Sequence, residues 1–202
     1  MEKPYASAAA RNAAPIAGVL RHEFRDCSSV FEIGSGTGQH AVTFAAELPG
    51  VTWQTSDLRQ SHEAIRAWIA DSGLENVLPP RDFDVLTAAA PSRRYDAVFS
   101  ANTAHIMSYE AVCRMFAITG AMLGDPGVFC LYGPFGRGGS FSTESNEAFD
   151  ASLRTRNAAM GIRDLDDLED LGRQNGMELA RTYAMPANNL LTVWTGKASS
   201  CR

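Results

Sequence analysis

The segment Val30-Phe31-Glu32-Ile33-Gly34-Ser35-Gly36-Thr37-Gly38-Gln39 constrains the fold of this chain more than any other. An apolar run that reads as a strand ends in three glycines at alternate positions, and a helical pattern starts directly after them. Glycine lets the backbone turn through positive φ and leaves room for a ligand to approach the main chain. The helix that follows presents free N–H groups to polar ligand atoms. Strand, tight turn and helix in that order open a βαβ unit, and the rest of the chain repeats the alternation.

An entry helix is predicted over Ser7–Phe24, with Ile16, Val19 and Leu20 on its apolar side and Pro15 marking a break or a start. Strands are predicted at Ser29–Ile33, at Val51–Thr55 closing on Asp57, in a short run ending near Asp84, at Tyr95–Ser100 and at Gly127–Tyr132. Helices are predicted at Gln39–Leu48, Ser61–Asp71, Tyr109–Leu123 and Leu165–Asn175, the last capped around Asp164. Met177–Ala184 and Leu190–Thr195 read as a closing strand pair. The stretch from Gly133 to Asn157 begins too rich in glycine for a regular element and turns helical near Glu144. It reads as a lid-like insertion or a surface loop. No repeat or long linker divides the 202 residues, so one domain is expected.

The spacing of the glycines bears on the ligand. A dinucleotide turn reads G-x-G-x-x-G and holds a pyrophosphate over the helix end. Here Glu32 stands two residues before the first glycine, where a carboxylate would repel a pyrophosphate and suit an ammonium or sulfonium. Asp57 closes the second strand, in the position that accepts hydrogen bonds from ribose hydroxyls. Asp84, beside Val85, ends the third and can accept from an adenine amino group. Each acid alone also reads as a cap or solvated turn residue. Taken in order they point to S-adenosylmethionine, which carries positive charge and no phosphate, with S-adenosylhomocysteine as the product after transfer. An NAD-dependent oxidoreductase is disfavoured by the same spacing.

The formal net charge of −5 argues against a nucleic-acid partner. No apolar run approaches bilayer length, the first residues do not read as a secretory leader, and Cys27, Cys113, Cys130 and Cys201 show no metal spacing with one another or with histidine. Reduced thiols, a cytoplasmic location and no metal are therefore expected.

The glycine turn resembles motif I of class I methyltransferases. More closely, the chain is similar to the small methyltransferase-like family catalogued as domain of unknown function 938. The similarity runs through Ser7-Ala8, Arg11-Asn12, Glu32 to His40, Trp53-Gln54, Ser56-Asp57, Ala101-Asn102, His105-Ile106, Leu131 to Phe135, Glu144-Ser145-Asn146, Phe149-Asp150, Gly161 to Asp164 and Met185 to Asn189, with Thr55 where proline is expected. The resemblance implies an α/β, Rossmann-like class I methyltransferase fold. That means a seven-stranded, mostly parallel sheet with an antiparallel last strand and helices on both faces. It implies S-adenosylmethionine binding and leaves the substrate open.

The cofactor set expected is Arg11, Asn12, Glu32, Gly34, Ser35, Gly36, Gly38, Asp57, Asp84, Val85 and Asn102. Arg11 would pair the cofactor carboxylate and Asn102 would bind its amino-acid part. His105, after the fourth strand, is a candidate general base or a loop histidine. Tyr132, at the end of the fifth, is a candidate donor to the acceptor or a wall residue. Asn146, Arg156, Asn188 and Asn189 are candidate substrate contacts, with Arg154 and Arg163 as further cations that can bind an anion or pair with nearby aspartates. The Asn/Asp-Pro-Pro-aromatic tetrapeptide that holds a base amine in other methyltransferases is missing after the fourth strand. A small-molecule methyltransferase is the leading reading. A non-catalytic S-adenosylmethionine-binding or regulatory protein and a protein or RNA methyltransferase remain beside it.

Overall fold

The computed structural model describes residues 3–196. Its elements in chain order are α1 (Ser7–Glu23), β1 (Ser29–Glu32), α2 (Gln39–Glu47), β2 (Thr52–Asp57), α3 (His62–Ser72), β3 (Val77–Asp82), β4 (Tyr95–Ala101), α4 (Tyr109–Met122), β5 (Leu123–Gly133), β6 (Phe135–Gly136), α5 (Glu144–Arg156), β7 (Arg163–Asp164), α6 (Leu165–Gln174), β8 (Met177–Met185) and β9 (Asn189–Gly196). Seven strands form one sheet in the order β3-β2-β1-β4-β5-β9-β8. The pairs from β3 through β5 are parallel, and β9 runs antiparallel to both β5 and β8. β6 and β7 make a separate two-residue parallel ladder.

Two cores sandwich the sheet. On one side Ile16 and Leu20 of α1, Phe24 just after it, and Ala41 and Phe44 of α2 pack over Val30, Trp53 and Phe99. On the other, Val112, Met115 and Phe116 of α4 and Leu165 and Leu168 of α6 pack over Phe31, Val98 and Phe129. Central strands buried on both faces must be apolar throughout, and Val30, Phe31, Ala97, Val98 and Phe99 are fully buried.

Some boundaries differ from the sequence reading. Pro15 lies inside a continuous helix rather than breaking it; burial of Ile16, Ala17 and Leu20 just beyond holds the helix together despite the lost bond. β3 stops at Asp82, so Asp84 lies in the turn that follows. β5 begins at Leu123 rather than Gly127, carried over the Gly124–Pro126 stretch by a register shift against Tyr95. The turn at residues 137–140 is pinned to the start of α6. Asp166 accepts from the Gly138 N–H, Asp164 accepts from the Gly139 N–H, and Arg137 pairs with Asp166 and Glu169.

Among the described residues no helix is long and apolar enough to cross a membrane, and no group of three or more His, Cys, Asp or Glu is placed to hold a metal. Cys27, Cys113 and Cys130 are free thiols; Cys201 lies outside the described residues.

Candidate functional site

Strand order reverses between β1 and β4, and open α/β sheets bind ligands at the carboxyl ends of the strands beside such a switch. A cleft of about 630 Å³ lies there. The glycine turn forms its floor. Gly34 and Gly36 have φ of +75° and +58°. A Cβ at Gly34 would lie 2.6 Å from Thr103 Cγ2, so only glycine lets the turn close onto the end of β4. A Cβ at Gly36 would meet nothing within 4 Å, because that residue faces the open cleft.

The acids flanking the turn divide into two roles. Asp57 lines the cleft; its Oδ2 accepts from the Gly36 N–H at 2.7 Å and its Oδ1 from the Leu58 N–H and the Ser61 hydroxyl. Asp84 also lines it and caps the next turn through the Leu86 N–H. Glu32 does not line the cleft. It is buried beneath the turn, where Oε2 accepts from the Ser35 hydroxyl at 2.7 Å and the Trp53 indole N–H at 3.1 Å. Burial pushes its carboxyl up to about 7, against those two hydrogen bonds and helped by the charge of Asp57. Gly38 likewise sits off the cleft, against the Ile65 backbone.

Ser35, Val85 and Asn102 complete the expected residues that line the cleft. Asn102 is a non-glycine residue at φ +60°, held by its N–H donating to the Tyr132 carbonyl at 2.9 Å. Backbone strain of this kind persists where surroundings over-determine it, and often at a site. The other wall is apolar, built from Phe83, Leu86, Ile106 and Met107. Sequence reading missed these, because apolar lining residues carry the same pattern as core residues. It also missed Ala6, Ala8, Ala9 and His40, which close the side nearest α1.

The residues expected around an acceptor lie apart from the lining. Tyr132 is buried, and burial raises its phenol above the ordinary value, against the opposing pull of the Asn12 and Asn189 side chains. Asn146 is buried and donates to Ser142 Oγ at 3.0 Å and to the Asn188 carbonyl at 3.4 Å. Tyr132, Asn146 and the turn at residues 188–189 thus belong to one polar cluster past the ends of β5 and β9. His105 is buried with its ring edge-on to Phe149, 5.5 Å between centroids. Burial, then the charges of Arg163 and Arg156, lower its imidazole to about 4, so it is neutral at pH 7. Arg156 is exposed at the end of α5, and Arg11 is exposed on α1 and does not line the cleft.

Arg163 departs from the expectation of an anion-binding or surface arginine. It is buried and spends its donors on the carbonyls of Ala104, Met107 and Ala159. Arg154 pairs with Asp150 at 2.6 Å.

The family model described as "Protein of unknown function (DUF938)" matches residues 3–196. The chain belongs to the DUF938 family. The fold of this DUF938 protein is shared with solved methyltransferases. An O-methyltransferase family protein from Burkholderia thailandensis matches with a TM-score of 0.81 at 13% identity, over 93% of this chain and 57% of that one. Mitomycin 7-O-methyltransferase MmcR gives 0.82 at 15%, over 95% and 55%. The S-adenosylmethionine-dependent methyltransferase SibL gives 0.77 at 19%, over 94% and 55%. The DUF938 chain therefore spans a little over half the length of these structures, and at such identities the likeness establishes the fold.

Proposed function

We propose that this DUF938 protein transfers a methyl group from S-adenosylmethionine to a small-molecule acceptor. One observation carries the reading: among the described residues the charged side chains lining the cleft are the two carboxylates Asp57 and Asp84, with no lysine or arginine beside them. Such a lining suits a cationic ligand and repels a pyrophosphate. The site fits the proposed ligand in shape as well. Gly36 leaves the turn open where a side chain would intrude, and the apolar wall gives a ring a dry slot beside Asp84.

When bound, S-adenosylmethionine supplies a methyl group on a positively charged sulfur. The protein's part is to bind and align. Asp57 offers its carboxylate to ribose hydroxyls, Asp84 accepts from the adenine amine, and Asn102 with the Gly34–Gly36 backbone takes the amino-acid end. The acceptor approaches from the ends of β4 and β5. There His105 is too weakly basic to keep a proton at pH 7 and serves as a hydrogen-bond partner that orients the acceptor. The amides and hydroxyl of Asn146, Asn188, Asn189 and Tyr132 supply neutral polar contacts beyond it. The solved relatives of this fold carry methyltransferase names, one for a mitomycin, which supports a small acceptor.

Binding without transfer is the second reading, favoured by the fact that neither His105 nor Tyr132 lines the cleft. Thermal unfolding with S-adenosylmethionine, S-adenosylhomocysteine and NAD tests the ligand. At a hundredfold excess over Kd, about 2.7 kcal/mol of stabilisation is expected for the two sulfur compounds. That is a rise of roughly 5–10 °C for a chain of this size. A rise with NAD alone would overturn the proposal. Formation of S-adenosylhomocysteine in the presence of a pool of hydroxylated acceptors separates transfer from binding.

A further inference from the structure

One wall of the cleft lacks the usual means of holding a helix in place. Ala6, Ala8 and Ala9 line the cleft. Yet no residue from 7 to 11 is buried, and the first buried apolar residue of α1 is Ile16. α1 has no side-chain N-cap and no acid in its first turn. Pro15 has no N–H to give to the Arg11 carbonyl, so the first turns are tied to the rest of the helix by one bond fewer. Two turns of alanine do not hold themselves in water.

Side chains from outside α1 hold them instead. The amide of Gln39 grips both main-chain groups of Ala6: its Oε1 accepts from the Ala6 N–H and its Nε2 donates to the Ala6 carbonyl at 3.4 Å. His40 Nε2 lies 3.2 Å from the Ala9 carbonyl and 2.7 Å from Asn12 Oδ1. Both of those atoms only accept, so Nε2 carries the hydrogen and the tautomer is fixed. Burial holds His40 near 4, which keeps the ring neutral. Trp68 adds a bond from its indole N–H to the Pro4 carbonyl at 2.7 Å. Gln39 and His40 are the first two residues of α2, directly after the glycine turn, so the turn that faces the ligand also sets both latching side chains.

We infer that Gln39 and His40 are positioning residues for the cofactor: they hold residues 6–12 as a cover on the cleft, and the latched cover slows the ligand's departure. This rests on the S-adenosylmethionine reading above. Gln39 does not line the cleft, so its effect on a ligand passes through the cover; His40 does line it, so Gln39→Leu is the variant that isolates the latch from direct contact.

The test uses the full chain and S-adenosylhomocysteine as the probe, reading its dissociation rate, amide exchange of residues 7–12 and the unfolding temperature without ligand. His40→Phe keeps a ring over Phe44, on which His40 stacks at 5.0 Å, and removes the donor. His40→Gln restores a donor at the same reach. Gln39→Leu removes the grip on Ala6. Loss of one such bond is worth up to about tenfold. His40→Phe and Gln39→Leu are therefore expected to speed both dissociation and exchange by about that factor, while His40→Gln stays within about twofold of the native chain. Faster exchange with an unchanged dissociation rate, or a fall in unfolding temperature alone, would overturn the inference. Wild-type protein that does not bind the probe at all would instead sink the cofactor reading, and this inference with it.

Discussion

The two glycines that face each other's work across the turn are expected to fail differently. Gly34→Ala places a methyl 2.6 Å from Thr103 at a left-handed φ, so it disturbs the fold itself, at a cost of about 2–3 kcal/mol. Gly36→Ala meets no atom and pays only the left-handed penalty, about 1 kcal/mol, but puts its methyl where the ligand would lie. Urea denaturation of both variants, paired with a ligand titration, separates the two effects. Glu32 carries a further expectation. Its carboxyl rises from 4.5 to about 7 on folding, so the folded chain keeps a proton the unfolded chain loses, and stability falls as pH rises through that window. In Glu32→Gln the amide oxygen still accepts from Ser35 and Trp53, so its unfolding temperature is expected to lose that downward slope between pH 4.5 and 7. At this scale the sequence was legible at Asp57, which closes β2 on the cleft; Asp84 lines the cleft too, but from the turn two residues past the end of β3. At Glu32 spacing tells that an acid belongs at the turn and not which way it faces; in the structure it lies buried underneath and joins Ser35 to Trp53.

Elements were legible wherever periodicity and terminators agreed. The central strands and the βαβ alternation follow from apolar runs bounded by glycine and aspartate. The reach between distant elements was not, because no local pattern encodes it. Glu23, at the end of α1, is buried; it accepts from Arg181 through both oxygens, at 2.8 and 2.6 Å, and from the Tyr183 hydroxyl at 2.6 Å. These bonds fasten α1 to the edge strand β8, 158 residues on. Arg181→Ala leaves a buried carboxylate without its cation. Because Arg181 itself is half exposed, the cost is expected at about 2 kcal/mol rather than the full penalty of a buried pair. Tyr183→Phe, which removes one hydrogen bond, is expected to cost about 1 kcal/mol. A double-mutant cycle read by denaturant unfolding checks both values. Arg163 shows the same limit: nothing local to it announces that its donors go to carbonyls at Ala104 and Met107.

Across the whole molecule, buried titratable groups set how stability answers to acid. His40 and His105 are held near 4, below their ordinary 6.5. The unfolded chain therefore takes up two protons that the folded chain refuses, and stability is lost as pH falls from 6.5 toward 4. Each histidine contributes on the order of 3 kcal/mol at most. Glu32 works in the opposite sense over an overlapping range, so the expected net change is a loss of about one histidine's worth. His105→Gln is expected to flatten the acid limb of the stability curve measured by thermal unfolding from pH 7 to pH 4; an unchanged limb would mean that this histidine is not held neutral by the fold. The same architecture places the cleft at one end of the sheet, where the reversal of strand order, the glycine turn and two carboxylates meet.

The most direct measurement of the central claim is a calorimetric titration of the native chain and of Asp57→Ala with S-adenosylhomocysteine. The expected result is saturable binding by the native chain that weakens at least about tenfold in the variant, the worth of one charge-assisted hydrogen bond. No binding by the native chain, or equal binding by both, would contradict the assignment of this cleft to S-adenosylmethionine.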